Sequence, residues 1–140
     1  MAAPLRRGEH SGYEDFELGD GGGPLTEKLI ALVLDGTKTA TCSLLAEFVD
    51  EGREVPAVGS RWALIDGAGR ERGVVETLEA RVMRLADVDD AFARDEGEGD
   101  ENAAQWRAGH ERFWRRHVPH VELGDDTQVV AERFRLVALF

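Results

Sequence analysis

A lysine and a threonine lie close together in the segment GTKTAT, residues 36–41. Lys38 and Thr41 are three residues apart, so their side chains diverge on a strand but converge in a turn or at a helix start. A neighbouring amine can activate a threonine hydroxyl by taking its proton, provided that desolvation keeps the lysine neutral near pH 7. The segment therefore indicates a nucleophile pair. The alternative is that Lys38 is a solvated cation at a helix end, where its charge is favourable.

Two glutamates interrupt apolar rows in segments that we predict as strands. Glu76 lies in the strand predicted at 72–85 and Glu132 in the strand predicted at 128–139, each between apolar residues of the same face. A carboxylate on a core-facing row is costly unless it is paired or opens into a cavity. Both are candidates for a pocket opposite Lys38. Alternatively, the inner face differs from the predicted one, or each glutamate lies at a wet strand end.

Three carboxylates fall within five residues in the segment EGEGD, residues 96–100. One glutamate of this segment could act as a general acid/base, with the glycines shaping a tight loop. The alternatives are a Mg²⁺ or Ca²⁺ site, although the spacing does not match a calcium loop, and a solvated acidic loop before a helix. His110 and His117 would stand roughly 10 Å apart on a helix, too far for one zinc ion. We therefore expect neither a metal nor a cofactor.

Aromatic residues and arginines share the helix that we predict after Asp100. Trp106, His110 and Trp114 recur on one face, and His110 is predicted at the edge of the core or in a pocket. Trp106 and Trp62 could stack on a base, or both could belong to the core. Cations near a helix C-terminus are expected without any ligand, but they could also contact phosphate. These cations are Arg112, Arg115 and Arg116.

The order of the remaining elements predicts one domain of the α+β class. Strands outnumber the helices that could connect parallel strands, which favours a mostly antiparallel sheet or partial barrel flanked by helices. Residues 1–14 are polar and are expected to form a disordered tail, followed by a single domain over 15–140. The predicted helices are 26–35, 43–50, 87–94 and the one after Asp100, and the predicted strands are 61–65, 72–85 and 128–139. Gly36 suits the left-handed position just past the end of the first helix.

The chain of 140 residues has a net charge of −11, which argues against a protein that coats RNA through bulk electrostatics. A local basic cleft remains compatible with this charge, and a nucleoside carries no phosphate that would need one. No apolar run approaches the roughly 20 residues that span a bilayer, and the N-terminal segment lacks the apolar stretch of a secretory signal. With a single cysteine, these features predict a cytoplasmic protein without membrane contact.

Four segments in this order resemble the ASCH domain family, relatives of the PUA fold. The resemblance covers the chain from about residue 16 to residue 137 and places it with the longer bacterial members. It implies a PUA-like pseudo-barrel of mixed strands flanked by helices. The four segments are 29–44, which contains GTKTAT, 58–82, 92–114, which contains EGEGD, and 129–137.

The resemblance also implies a function. PUA relatives commonly bind RNA, and bacterial ASCH proteins are associated with two activities, hydrolysis of the acetyl amide of N4-acetylcytidine and cleavage of RNA. The amidohydrolase members use a lysine, a threonine three residues later and a downstream glutamate. Lys38 and Thr41 match the first two, and Glu98, or next Glu96, matches the third. This chain departs from those shorter members in its EGEGD segment and its Trp106–His110 spacing.

We therefore expect a protein that binds RNA or a modified nucleoside and hydrolyses an acyl amide. Lys38 would activate Thr41, Thr41 would attack the carbonyl, Glu98 or Glu96 would carry the proton to the leaving amine, and backbone N–H groups would stabilise the oxyanion. The alternatives are a non-catalytic RNA-binding module, a metal-independent ribonuclease and a protein-interaction domain. The residues assigned to substrate binding are Thr39, Glu76, Trp62, Trp106, His110 and Glu132, and those assigned to RNA contact are Arg112, Arg115 and Arg116.

Overall fold

The computed structural model describes residues 11–140. The strands predicted at 61–65 and 128–139 have the predicted bounds, while the helix predicted at 87–94 is a 3₁₀ turn followed by a short α-helix. The elements in chain order are β1 (Asp15–Glu17), α1 (Pro24–Leu34), β2 (Ala40–Leu44), α2 (Leu45–Asp50), β3 (Arg61–Ile65), β4 (Glu71–Arg84), the 3₁₀ turn (Leu85–Asp87), α3 (Asp90–Asp95), α4 (Ala103–His117) and β5 (Gln128–Leu139).

All five strands form one sheet in the order β1-β3-β4-β5-β2. β1 pairs with β3 in parallel and the other neighbours are antiparallel. Most of the predicted tail, residues 1–10, lies outside the described residues. Its end already belongs to the domain, because Ser11 donates two hydrogen bonds to Glu71 and the Glu14 carbonyl accepts one from Ala63.

The sheet is covered by helices on both faces, which gives two apolar clusters. Helices α3 and α4 cover the face formed by β2 and one half of β5, and α1 covers the face near β3 and β4. The first cluster contains Ala40, Cys42, Leu44, Leu85, Phe92, Trp106, Trp114, Val129 and Ala131, and the second contains Leu29, Ile30, Val33, Leu64, Val75 and Phe134.

The prediction for Glu76 is wrong, because β4 is not a regular strand. Its register with β5 shifts between Val74 and Val75 and again after Thr77, and both valines are consequently buried. Such bulges break the alternation of faces on which the prediction depended. The Glu76 carboxylate accepts hydrogen bonds from Arg135 at 2.8 Å and from Arg61 at 3.4 Å, and it lines neither of the cavities described below.

The end of α1 directs Lys38 into the protein. Pro24 begins the helix, where its missing N–H has no cost, and Gly36 follows the helix with a φ of +85°, as predicted for a left-handed helix end. The backbone N–H of Lys38 then bonds to the Leu32 carbonyl at 3.0 Å. Lys38 is only 2% exposed, so it is not the solvated cation of the alternative interpretation. Among residues 11–140, no helix is long and apolar enough to cross a membrane.

Candidate functional site

An open cavity of about 640 Å³ lies between β2, the loop at 96–100 and α4, with residues 17–21 on its far side. Lys38, Thr41, Glu96, Glu98 and His110 all line it. Elements that are far apart in the sequence thus bring the candidate lysine, threonine and glutamates to one place.

The Lys38 amine lies at the inner wall of this cavity and has three acceptors. Its Nζ atom donates to Glu98 Oε2 at 2.9 Å, to Glu96 Oε1 at 3.2 Å and to the Glu96 backbone carbonyl at 3.3 Å. An ammonium group has three N–H donors, so each donor has one acceptor. Both glutamates of the EGEGD segment therefore face Lys38.

The loop can approach Lys38 because Gly97 has no side chain. Its φ is +71°, and a Cβ atom on it would lie 2.5 Å from the Thr37 carbonyl oxygen and 2.9 Å from the Lys38 Cα atom. The loop is also held by the backbone N–H of Thr39, which donates to the Asp95 carbonyl at 3.0 Å. Only glycine allows this close contact between the two backbones. The Thr39 hydroxyl bonds to the same carbonyl at 3.3 Å and lines neither cavity, which contradicts its predicted place in the pocket.

Glu96 is fully enclosed and its carboxylate is shared among several donors. Besides Lys38, the Trp106 indole N–H donates to it, and His110 Nε2 lies 3.3 Å from Oε2. Burial alone would raise the pKa of Glu96, but the hydrogen bond from His110 and the charge of Lys38 outweigh it and hold the pKa well below its usual value. Glu96 is therefore an ionised anchor of the site.

His110 lies at the edge of the core and faces the cavity, as the helix pattern predicted. Its ring stacks on Trp106 with centroids 4.1 Å apart, and Nδ1 lies 2.9 Å from the Trp106 carbonyl oxygen. Burial alone would lower the pKa of His110, but the hydrogen bond and charge of Glu96 raise it. Trp106 itself has no exposed surface, so the prediction that it could stack on a base is wrong.

Glu98 differs from Glu96 because it reaches the cavity. About a quarter of its side chain is exposed, 24%, against 1% for Glu96. Burial raises the pKa of Glu98, the neighbouring charge of Glu96 raises it further, and Lys38 opposes both only in part. A carboxyl group with a raised pKa beside an amine can exchange a proton with it, so Glu98 is the better placed of the two for acid/base chemistry.

Glu96, Glu98 and His110 also form a possible ligand set for a metal ion, with ligand atoms within 4.8 Å of one another. The Lys38 ammonium already bridges the two carboxylates. A divalent cation at this position would have to displace that ammonium or bind beside it against the repulsion between the two positive charges.

Thr41 connects this cavity with a smaller one of about 70 Å³ and lines both. Glu132 of β5 lies directly opposite Thr41 in the register of β2 and β5 and lines only the smaller cavity. Glu132 is 6% exposed, and burial raises its pKa to about 7, against the opposing charge of Arg53. Within residues 11–140, its carboxylate forms no hydrogen bond or ion pair.

The model of the ASCH domain family matches residues 18–138. The chain belongs to the ASCH domain family. ASCH domains have a PUA-like fold and are often linked to RNA binding. The predicted α+β, PUA-like pseudo-barrel flanked by helices is therefore confirmed.

Two crystal structures are similar to this ASCH domain. A protein from Enterococcus faecalis V583 superposes with a TM-score of 0.80 at 27% identity, covering 90% of this chain and 77% of that one. An ASCH domain from Lactobacillus crispatus JV V101 superposes with a TM-score of 0.71 at 30% identity, covering 81% of this chain and 72% of that one. Among curated proteins, none matches the chain.

The remaining predicted residues of this ASCH domain lie apart from the lysine. Trp62 lines the smaller cavity, where its indole N–H donates to the hydroxyls of Ser60 and Thr77 at 3.0 and 3.2 Å. The three arginines of α4 are exposed and line neither cavity, and one of them pairs with Glu111 at 2.7 Å. These arginines are Arg112, Arg115 and Arg116.

Sequence reasoning missed the acidic residues that β1 and α2 bring to the cavities of this ASCH domain. Asp15 and Glu17 line both cavities, and Arg53 lies beside them. The only sequence signal was the three-residue alternation of charged and apolar residues in DFE, which is too short to predict a strand. Among residues 11–140, the acidic side chains that line the larger cavity outnumber the basic ones, Lys38 and Arg53. The acidic ones are Asp15, Glu17, Glu47, Glu51, Glu96, Glu98 and Asp100.

Proposed function

We propose that this ASCH domain hydrolyses the acyl amide of a small modified nucleoside, of which N4-acetylcytidine is the model substrate. The observation that carries the proposal is that Thr41 and the Lys38–Glu98 pair line one open cavity, although Glu98 lies 57 residues after Thr41 in the chain. A hydroxyl, an amine and a carboxyl with a raised pKa are the groups that acyl transfer through threonine requires.

The charge of the cavity supports a nucleoside rather than an RNA strand as the substrate. Among residues 11–140, seven acidic side chains and two basic ones, Lys38 and Arg53, line its wall, and the chain as a whole has a net charge of −11. A phosphate group would be repelled by such a wall, whereas a nucleoside presents only uncharged groups. The volume of about 640 Å³ lies within the range of pockets that hold small molecules.

The first chemical step in this proposal is a proton transfer within the Lys38–Glu98 pair. Lys38 gives one proton to Glu98 across 2.9 Å, which leaves a neutral amine and a neutral carboxyl. The amine takes the proton of the Thr41 hydroxyl, and the Thr41 oxygen attacks the acyl carbon. The Glu98 carboxyl then protonates the leaving nitrogen, so the C–N bond breaks and the free amine of cytidine departs.

Water completes the reaction through the same groups. The Glu98 carboxylate takes a proton from a water molecule, whose oxygen adds to the acyl-threonine. The Thr41 oxygen then leaves and recovers a proton from Glu98, which releases the carboxylic acid and restores the starting protonation of the pair. Glu96 does not serve as the proton carrier in this scheme, because its lowered pKa and its donors Trp106 and His110 hold it ionised.

The test is turnover of N4-acetylcytidine by the purified protein, followed by chromatography of released cytidine. We expect Lys38→Ala and Thr41→Val to lose at least about a hundredfold in kcat/KM, and Thr41→Ser to retain part of the activity. The chain has only one other lysine, Lys28, which is exposed on α1. Lys28→Ala is therefore a matched control that should behave as the wild type. Absence of cytidine at high enzyme concentration would contradict the proposal.

A second candidate is a non-catalytic RNA-binding module, and the exposed arginines at the end of α4 favour it. Arg112 and Arg116 form no ion pair with another residue of the described range 11–140. Affinity for RNA that falls steeply with salt, and falls further in Arg112→Ala and Arg116→Ala, would support this candidate. Cleavage of an oligonucleotide in the presence of a chelator would instead indicate the metal-independent ribonuclease.

A further inference from the structure

The smaller cavity has the size of a short acyl group. Its volume of about 70 Å³ is about half of the roughly 150 Å³ of a cavity that holds a benzene molecule. A pyrimidine ring does not fit into it, but two or three non-hydrogen atoms do. Phe48, Pro56 and Trp62 provide its apolar side.

The smaller cavity opens beside the candidate nucleophile. Thr41 and Glu132 are direct partners in the antiparallel pair of β2 and β5, so their side chains lie on the same face of the sheet. Residues paired in this way have Cβ atoms about 4.5–5.5 Å apart. An acyl group attacked by Thr41 can therefore extend into this cavity while the rest of the substrate stays in the larger one.

Glu132 has no hydrogen-bond or ion-pair partner within residues 11–140, although more than nine-tenths of it is buried. A polar group is rarely left in this condition unless a ligand or water completes its hydrogen bonds. All three charged neighbours that line the smaller cavity come from other elements, Asp15 and Glu17 from β1 and Arg53 from the loop after α2. Of these three, Arg53 acts on the Glu132 carboxylate through its charge.

We propose that the smaller cavity is the acyl subsite of the enzyme, and that Glu132 in its protonated form donates a hydrogen bond to the carbonyl oxygen of the acyl group that Thr41 attacks. This inference rests on the proposed function, and it adds the class of acyl group and a further catalytic residue. The subsite admits acetyl and propionyl groups and excludes aromatic and longer acyl groups.

The burial of Glu132 supports the protonated form. Burial raises its pKa to about 7, whereas the charge of Arg53 acts in the opposite direction. A neutral carboxyl has one O–H donor, and a donor aimed at a carbonyl oxygen becomes more favourable as that oxygen gains negative charge. Above pH 7 the ionised carboxylate would repel the oxyanion instead.

The first experiment compares Glu132→Gln with Glu132→Leu on N4-acetylcytidine between pH 5.5 and 9. We expect kcat/KM of the wild type to decline above about pH 7, where Glu132 ionises. Glutamine keeps an N–H donor at every pH, so the variant should lose this decline. Leucine removes the donor and should lower kcat/KM by about 10²–10³-fold. Equal activity of both variants and the wild type, or an unchanged decline in Glu132→Gln, would overturn the role of Glu132.

The second experiment tests the subsite without turnover. In ¹⁵N spectra, acetamide should shift the indole N–H signal of Trp62 in the wild type, benzamide should not, and Glu132→Leu should lose the acetamide effect. A wild type that responds to acetamide but releases no cytidine would refute the hydrolase and retain the subsite. The opposite result is a wild type that hydrolyses benzoyl and acetyl substrates equally well and shows no Trp62 shift with acetamide. This result would refute the subsite and retain the hydrolase.

Discussion

Two buried glutamates of this ASCH domain have opposite surroundings. The carboxylate of Glu96 contacts Lys38, Trp106 and His110, and its pKa is held low. Glu132 is nearly as deeply buried, yet it has no hydrogen-bond partner within residues 11–140, and its pKa is raised to about 7. The two groups have the same chemistry and similar burial, so the difference comes from their neighbours.

This difference separates a group that holds the site together from one that is available to a ligand. The donors around Glu96 use its charge to fix Lys38 and the loop at 96–100, and removing any of them leaves a buried group unsatisfied. Among residues 11–140, Glu132 hydrogen-bonds to no other side chain, and it lines a cavity. Burial makes both glutamates unusual, and only their contacts distinguish Glu96, which holds the site together, from Glu132, which is available to a ligand.

Replacement of Lys38 by methionine should have the largest effect on stability. The change leaves Glu96 ionised and buried without its cation, and breaking a buried ion pair from one side costs about 3–5 kcal/mol. Urea unfolding at pH 7 measures the free energy, and Lys28→Met, an exposed lysine of α1, is the control. A loss as small as that of the control would mean that Lys38 does not hold Glu96.

Glu132→Gln should change the pH dependence of stability, because the pKa of Glu132 is raised from 4.5 to about 7 on folding. The folded state keeps a proton that the unfolded state loses, so this stabilisation is complete below about pH 4.5 and is lost as the pH rises to 7. The variant does not lose this stabilisation. The difference in unfolding free energy between variant and wild type should therefore shift in favour of the variant by about 3 kcal/mol between pH 4.5 and 7, and it should stay constant above pH 7.

Parallel urea titrations of the two proteins from pH 4 to pH 9 provide this comparison. A difference that does not change with pH would show that Glu132 is solvated or partnered in solution, and it would remove the contrast with Glu96.

Glu96→Gln should destabilise the protein by less than Lys38→Met, about 1–3 kcal/mol. The amide still accepts from the Trp106 indole, and Lys38 keeps Glu98 as its partner. Because the charge of Glu96 raises the pKa of His110, that pKa should fall in the variant. An NMR titration of the imidazole measures it, with exposed His117 as the internal reference, and an unchanged His110 would contradict the network.

The sequence predicted most elements of this fold because their patterns are local. The strands at 61–65 and 128–139 and the cap glycine at 36 depend on alternation and turn chemistry within a few residues. β1 could not be predicted, since three residues carry no period and their strand exists only through pairing with β3. The start of α4 shifted from the predicted Asp100 to Asn102, whose side chain accepts from the Gln105 N–H.

The sequence predicted those parts of the site that lie within short segments of the chain. Lys38, Thr41 and the EGEGD segment could be named from the sequence, but the contact of both glutamates with Lys38 depends on the fit of Gly97 against Thr37, a contact across the fold. The helix pattern placed Trp106 and His110 on one face, but neither the hydrogen bonds that both make to Glu96 nor the approach of β1 to the cavity could be read from a single sequence. Such contacts arise from packing, which a pattern of residue types does not encode.

Glu76→Gln should have the smallest effect, and its sign should oppose that of Glu132→Gln. Hydrogen bonds and charges from Arg135 and Arg61 lower the pKa of Glu76, so its stabilisation exists above its usual pKa and disappears as the pH falls. Both arginines are about half exposed, and such surface pairs contribute little. The urea midpoint of the variant should therefore equal that of the wild type within error at pH 4 and lie no more than slightly below it at pH 8. A rise at pH 8 like that of Glu132→Gln would mean that the β4 bulges do not turn Glu76 away from the core.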